Sequence, residues 1–210
     1  MSTGLIDISP VLSPRIAVWP GDTRFSRTVN ARIADGANID LSYVTTTVHV
    51  GAHTDAPNHY SANGQAIHER PLDLYYGPCL VLAVQVGRSE RITPAHLPAL
   101  GALPPRVLFA TNTFPDPEHF NEDFAALSPD LVDHLAARGV RLVGIDTPSI
   151  DLCDDADLLS HSAVARHDLA ILEGVVLAHV EPGRYTLIAL PLRIEGADAS
   201  PVRAALLPLD

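Results

Sequence analysis

Residues 49–59, His49-Val-Gly-Ala-His53-Thr-Asp55-Ala-Pro-Asn-His59, place three histidines and one carboxylate within eleven positions. Imidazole nitrogens and carboxylate oxygens are donors that suit zinc, iron, nickel or manganese. The local sequence argues against a helix: Val44-Thr-Thr-Thr-Val48 is β-branched throughout, and Gly51 and Pro57 interrupt the cluster. An extended chain points alternate side chains to one face. His49, Gly51, His53 and Asp55 are therefore expected side by side at the end of a strand, with Gly51 leaving room beside a ligand. The competing reading is a hydrogen-bonded polar loop with incidental histidines. Four donor-type residues at this spacing weigh against it.

The chain has ten histidines, and most read as surface or structural groups. His134 falls within a helical segment, His96 near the start of another, and His119 in a loop-like stretch. Two distant residues are candidate partners for the cluster. His161 follows Ser160 at an expected helix start, and Glu173 precedes Gly174. Taken alone, the first is a cap residue and the second a turn residue.

The elements that must position these groups are mostly strands. Leu5–Ser9, Arg24–Ile33 and Leu41–His49 read as extended. Leu80–Val86, Val107–Thr111 and Arg141–Ile145 are short apolar runs of buried-strand length, and Val175–Ala178 and Tyr185–Leu190 repeat that type. Ser128 as cap, Pro129 at the first helical position and Gly139 past the end frame a helix over Leu131–Ala137. Thr93-Pro94 opens a shorter helix, and Asp157 or Ser160 is the expected cap of a third that runs to about His167. Gly101–Pro105 and Thr113–Pro117 look like surface connections. Strands first, then helix–strand alternation, point to a mixed α/β domain with a layered sheet core, spanning 1–210 as a single domain.

A hydrophobic content of 47% is enough for a substantial core in 210 residues. The formal net charge of −11 makes nucleic acid and anionic membranes poor partners, since both need clustered basic residues. There is no apolar run of membrane-spanning length and no secretory signal pattern. Cys79 and Cys153 are far apart and form no metal-type pair. Cys79 reads as a buried small hydrophobe, and a reduced cytoplasmic setting is the simplest expectation.

The 49–59 element resembles the H-x-G-T-H-x-D-A-P-x-H signature of the metal-dependent hydrolases called the cyclase family. Ala52 replaces the usual threonine, at a position that is not a ligand. Ser160-His161 and Glu173 resemble the second ligand set of that family. Ile6–Pro10, Val18-Trp19-Pro20-Gly21-Asp22 and Gly144–Asp151 carry a narrower resemblance to the bacterial kynurenine formamidases within it.

The resemblance implies a mixed, layered β/β/α sandwich of the swivelling-domain type, in a homodimer. It implies two zinc ions per subunit that activate a water. His49, His53 and Asp55 would hold the first. Asp55 and Glu173 would bridge to the second, which also takes His161. His59 would be the catalytic acid/base, and Trp19 would bind substrate by stacking on its aromatic ring. The implied reaction is hydrolysis of N-formyl-L-kynurenine to L-kynurenine and formate. The nearest rival is a related amidohydrolase acting on isatin or another cyclic amide. A metal-binding protein without turnover is a third possibility, against which His59 counts, because the metals do not need it. There is no Gly-x-Ser-x-Gly elbow to support a serine hydrolase.

Overall fold

The computed structural model describes residues 4–209. The expected domain ends, 1 and 210, lie outside the described residues. The first strands are β1 (Ile6–Asp7), β2 (Ser26–Ala31), β3 (Leu41–Thr45) and β4 (His53–Asp55), followed by a one-turn helix α1 (Pro57–Tyr60). Then come β5 (Tyr76–Ala83), β6 (Arg91–Ile92), β7 (Arg106–Ala110), β8 (Ala126–Leu127), α2 (Pro129–Ala136) and β9 (Leu142–Ile145). The chain ends with α3 (Leu159–His167), β10 (Ala170–Leu172), β11 (Gly183–Ile188), β12 (Ala199–Pro201) and β13 (Ala205–Pro208).

Seven strands form one mixed sheet in the order β1-β13-β11-β5-β7-β9-β10. The β5-β7-β9-β10 half is parallel, and the other pairings are antiparallel. Side chains alternate cleanly across it. On β5, Cys79 and Val81 enter one core, and Leu80 and Leu82 enter the other. On β9, Leu142 and Val143 divide the same way. Both faces are buried, so these strands read as continuous apolar runs rather than as alternations.

Helices α2 and α3 cover one face, through Leu131, Val132 and Leu135 on α2 and Ala163 and Val164 on α3. The Ser128 hydroxyl accepts from Leu131 N–H, the cap expected from sequence, a contact type worth ~1 kcal/mol. On the opposite face lies the short ribbon of β4 and β12, with Ala199 opposite Asp55. The layering is thus ribbon, sheet, helices, in agreement with the expected β/β/α arrangement. No described helix is long and apolar enough to cross a membrane.

Three local expectations change. Val175–Ala178 is not a strand; its Val176 N–H donates to the Ile8 carbonyl, one residue past the edge strand β1, and no ladder follows. Thr93-Pro94 starts only a 3-10 turn, Pro94–His96. Helix α3 is capped neither by Asp157 nor by Ser160. Leu158 is its boundary residue, and the Asp151 carboxylate, nine residues back, accepts from the Ser160 and His161 N–H groups.

Candidate metal centre

The stretch 49–55 does not run as one strand. Gly51 turns the chain with φ +58, and only His53–Asp55 joins a ladder. A Cβ on Gly51 would meet Leu12 at 2.7 Å and Pro10 at 3.1 Å, so the room it leaves is taken by the N-terminal segment and not by a ligand. His49 therefore reaches the site from before the turn. His53 and Asp55 reach it from β4. Pro57 opens the single turn of α1, which carries His59 one residue short of its end.

Glu173 comes from the parallel half of the sheet. It follows β10 and exchanges two backbone hydrogen bonds with His53, at 3.1 and 2.9 Å. That bridge ties the ribbon to the main sheet at the site itself. His161 is presented by the first turn of α3, which sits over the same strand ends.

The donor atoms converge closely. His49 Nδ1 lies 3.0 Å from Asp55 Oδ1, and His53 Nε2 lies 3.5 Å from it. His53 Nε2 is 3.2 Å from Glu173 Oε2. His161 Nε2 stands 3.4 Å from Asp55 Oδ2 and 3.8 Å from Glu173 Oε1. Two groups of donors lie within 4.8 Å of one another: His53, Asp55 and Glu173, and His49, Asp55 and His59.

Each buried imidazole is oriented by its second nitrogen. His53 Nδ1 is 2.9 Å from the Gly51 carbonyl, a pure acceptor, so that nitrogen carries the proton and donates. His161 Nδ1 likewise donates to Asp151 Oδ2 at 2.8 Å. In both rings this leaves Nε2 to face the carboxylates, the arrangement that metal-binding histidines require. Asp151 is itself fixed by Arg91 Nη1 at 2.8 Å, and Arg91 also pairs with Asp155.

The electrostatics favour a cation. Burial lowers the His49 pKa, yet Asp55 and Asp198 outweigh it and raise it to about 9. Burial likewise lowers that of His161, and Asp151 and Asp55 lift it to about 10. Burial raises the Asp55 carboxyl, but His161 and His49 hold it well below the usual carboxylate range. These are the responses of a pocket strongly attractive to positive charge.

The residues fit a metal on one further observation. Asp55 Oδ1 is fully buried and accepts no hydrogen bond, although two imidazole nitrogens approach it. A buried carboxylate oxygen is costly to leave unpaired. Donors around a tetrahedral ion with bonds of about 2.1 Å sit about 3.4 Å apart, which matches the 3.0–3.5 Å separations here. Nitrogen and oxygen donors of this kind suit zinc and its neighbours.

The Cyclase family model matches residues 6–152, more than half of the chain. The chain belongs to the cyclase family. Solved structures agree with this cyclase fold. A potential metal-dependent hydrolase with cyclase activity is 27% identical, with 99% of each chain covered and a TM-score of 0.81. A predicted metal-dependent hydrolase from Bacillus stearothermophilus is also 27% identical, with 98% of each chain covered and a TM-score of 0.79. Isatin hydrolase A from Labrenzia aggregata superposes with a TM-score of 0.82 over 97% of this chain and 93% of its own, at 20% identity, a likeness of fold.

In this cyclase-family chain the donors open onto a cavity of about 380 Å³, a size suited to a small molecule. His49, His53, Asp55, His59, His161, Glu173 and Trp19 all line it. Trp19 packs edge-on against Phe120 (5.5 Å) and Phe124 (6.2 Å), and Phe114 against Phe120 (5.8 Å). The Thr113–Pro117 segment, expected as a surface connection, instead supplies Phe114, Pro115 and Pro117 to the wall. Asp22 lies on the same lining, and no described lining residue is Lys or Arg. Sequence reasoning missed the Phe114–Phe120 wall, the Asp151 support and Asp198. Only Asp151 had a signal, lying in the segment that carries the narrower resemblance.

Proposed function

We propose that this chain is a metal-dependent arylformamidase that hydrolyses N-formyl-L-kynurenine to L-kynurenine and formate. The observation that carries the reading is one cavity that unites a buried His/Asp/Glu donor set, an imidazole at its rim and an aromatic wall. Two zinc ions would complete the site: His49, His53 and Asp55 would hold one, and His161, Glu173 and Asp55 the other. When bound, they supply Lewis acidity that polarises the formyl oxygen and makes an attacking water acidic.

The protein's own groups do the rest. Trp19, Phe114 and Phe120 hold the substrate ring and exclude water from it. Asp22 receives the α-ammonium of the amino-acid end, a group that isatin lacks. His59, partly exposed at the rim, delivers the proton that the departing aniline nitrogen needs. Asp55 and Glu173 offset the charge of the bound cations. The active form is a homodimer; Leu41, Tyr43 and Val44 stand exposed along β3 and support association of two copies.

The test is turnover of N-formyl-L-kynurenine, followed by absorbance, with metal-stripped protein restored by defined equivalents of zinc. Activity that returns with two equivalents per chain is the expected result. Isatin opening without formamide cleavage would move the substrate to the cyclic amides. Metal uptake with no turnover of any aryl amide would remove the enzyme reading.

A further inference from the structure

Asp198 lies far from the ligand motif in sequence, in the Gly196-Ala-Asp198 turn before β12, yet it closes the rim of the site. Its backbone is pinned to the ligand strand: the Ala56 N–H donates to the Asp198 carbonyl at 2.8 Å. The flanking residues are tied to the segment around α1, with Asn58 Nδ2 donating to the Gly196 carbonyl at 3.3 Å and Ile67 N–H to Ala197 at 2.9 Å. A single oxygen of its side chain, Oδ2, then faces two rings. His49 Nε2 is 3.0 Å away and His59 Nδ1 is 3.4 Å away. The two rings lie 4.2 Å apart, tilted by 43°.

We propose that Asp198 is the positioning residue for His59, holding its Nδ1 as the protonated nitrogen so that Nε2 is the one that exchanges a proton with substrate. This deepens the formamidase reading and rests on it for the identity of the reaction. An ionised carboxylate can only accept. His49 Nε2 makes the hydrogen bond to that oxygen, and the longer 3.4 Å approach of His59 Nδ1 favours hydrogen on that nitrogen, which leaves the opposite nitrogen of the ring for proton transfer. Orientation of an imidazole by a carboxylate is a general device in proton-transfer catalysis. Here the carboxylate is supplied by the turn that leads into β12, the partner of the ligand strand, so its distance from α1 is set by backbone hydrogen bonds rather than by a flexible side chain alone.

Two measurements test this on the full-length, zinc-loaded protein. The first is the hydrolysis of ring-substituted formanilides, from 4-nitro to 4-methoxy, by wild type, Asp198→Ala and Asp198→Asn. A proton donor matters most when the leaving amine is basic. The expected loss in kcat is about 10- to 100-fold for the methoxy compound and only a few-fold for the nitro compound. It should vanish in a His59→Ala background, since the two residues act as one unit, with metal content at the wild-type level throughout. A uniform loss across the series accompanied by metal depletion would place Asp198 in support of His49 instead and overturn the proposal. The second is the ¹⁵N spectrum of the His59 ring. Wild type should show the Nδ1–H tautomer, and Asp198→Ala a shift toward Nε2–H. An unchanged tautomer would also overturn the proposal. This readout needs no turnover, so if no formanilide is cleaved by wild type, the reaction assignment fails while the positioning claim is still decided.

Discussion

Gly174 sits directly against the Gly51 carbonyl: a Cβ at position 174 would lie 2.2 Å from that oxygen. Gly174 also has φ +64, a conformation that costs a residue with a side chain about 1–2 kcal/mol. The two glycines hold the turn before His53 against the turn after Glu173, so the backbone bridge between those residues depends on both. Gly174→Ala should lower the melting temperature by several degrees and reduce metal content together. Thermal melts and elemental analysis on the same preparation check this; a stable variant with full metal would show that the contact is dispensable.

Ligand and proton-transfer roles separate under substitution. Asp55→Asn and Glu173→Gln should both lose metal, because each removes a charged donor from the shared part of the site. His59→Ala should keep its metal and lose about 10²–10⁴-fold in kcat. His59 also falls within one of the two donor groups, which makes its metal content the deciding number. Depletion in His59→Ala would make it a ligand.

Asp151 touches no cavity atom directly, yet it fixes the His161 ring and caps α3 at once. Its carboxyl is buried, which raises its pKa, but His161 and Arg91 overcome that and hold it below the usual carboxylate range. Asp151→Asn should weaken zinc binding by about 10- to 100-fold, measured by competition with a chromogenic chelator. An unchanged affinity would mean that helix α3 alone orients the imidazole.

Asp22 offers the cavity its acceptor nearest Trp19 in sequence. Asp22→Asn should raise KM for N-formyl-L-kynurenine several-fold and leave that for formanilide, which has no ammonium, unchanged. Equal effects on both substrates would remove Asp22 from recognition of the amino-acid end.

The cysteines should differ in reactivity. Burial pushes the Cys79 thiol up to about 12, while partial burial, with Glu122 and Asp154 nearby, raises that of Cys153. Thiolate is the reactive form. At pH 8 a disulfide reagent should label Cys153 slowly, faster as pH rises, and reach Cys79 only after denaturation. Two thiols reacting at equal rates in the native protein would contradict this burial.

Much of the site was legible because its chemistry is concentrated. Residues 49–59 announce a donor cluster through residue type alone, and Ser128-Pro129 announces α2 through capping chemistry. The path of residues 49–55 was not legible, because the turn at Gly51 is set by Pro10 and Leu12, which pack there from elsewhere in the chain. The same cause hides Asp198, whose place at the rim depends on the pairing of β12 with β4. Phe114 was masked by its prolines, which suggest a surface loop and in fact shape a cavity wall. Val175–Ala178 has strand-like residues but meets the end of β1 through one backbone hydrogen bond and forms no ladder. In each case the missing information is which distant segment lies alongside.

The backbone bridge between His53 and Glu173 gives the ion a mechanical part to play. Its ligands come from the ribbon, the parallel half of the sheet and a helix, pieces that meet only in the finished fold. A bound cation is therefore a removable cross-link between layers, and its affinity adds to folding stability as RT ln(1 + [L]/Kd). Scarcity of metal would then be felt first as susceptibility to proteolysis, so cellular abundance of the protein should track metal supply even where no substrate is present.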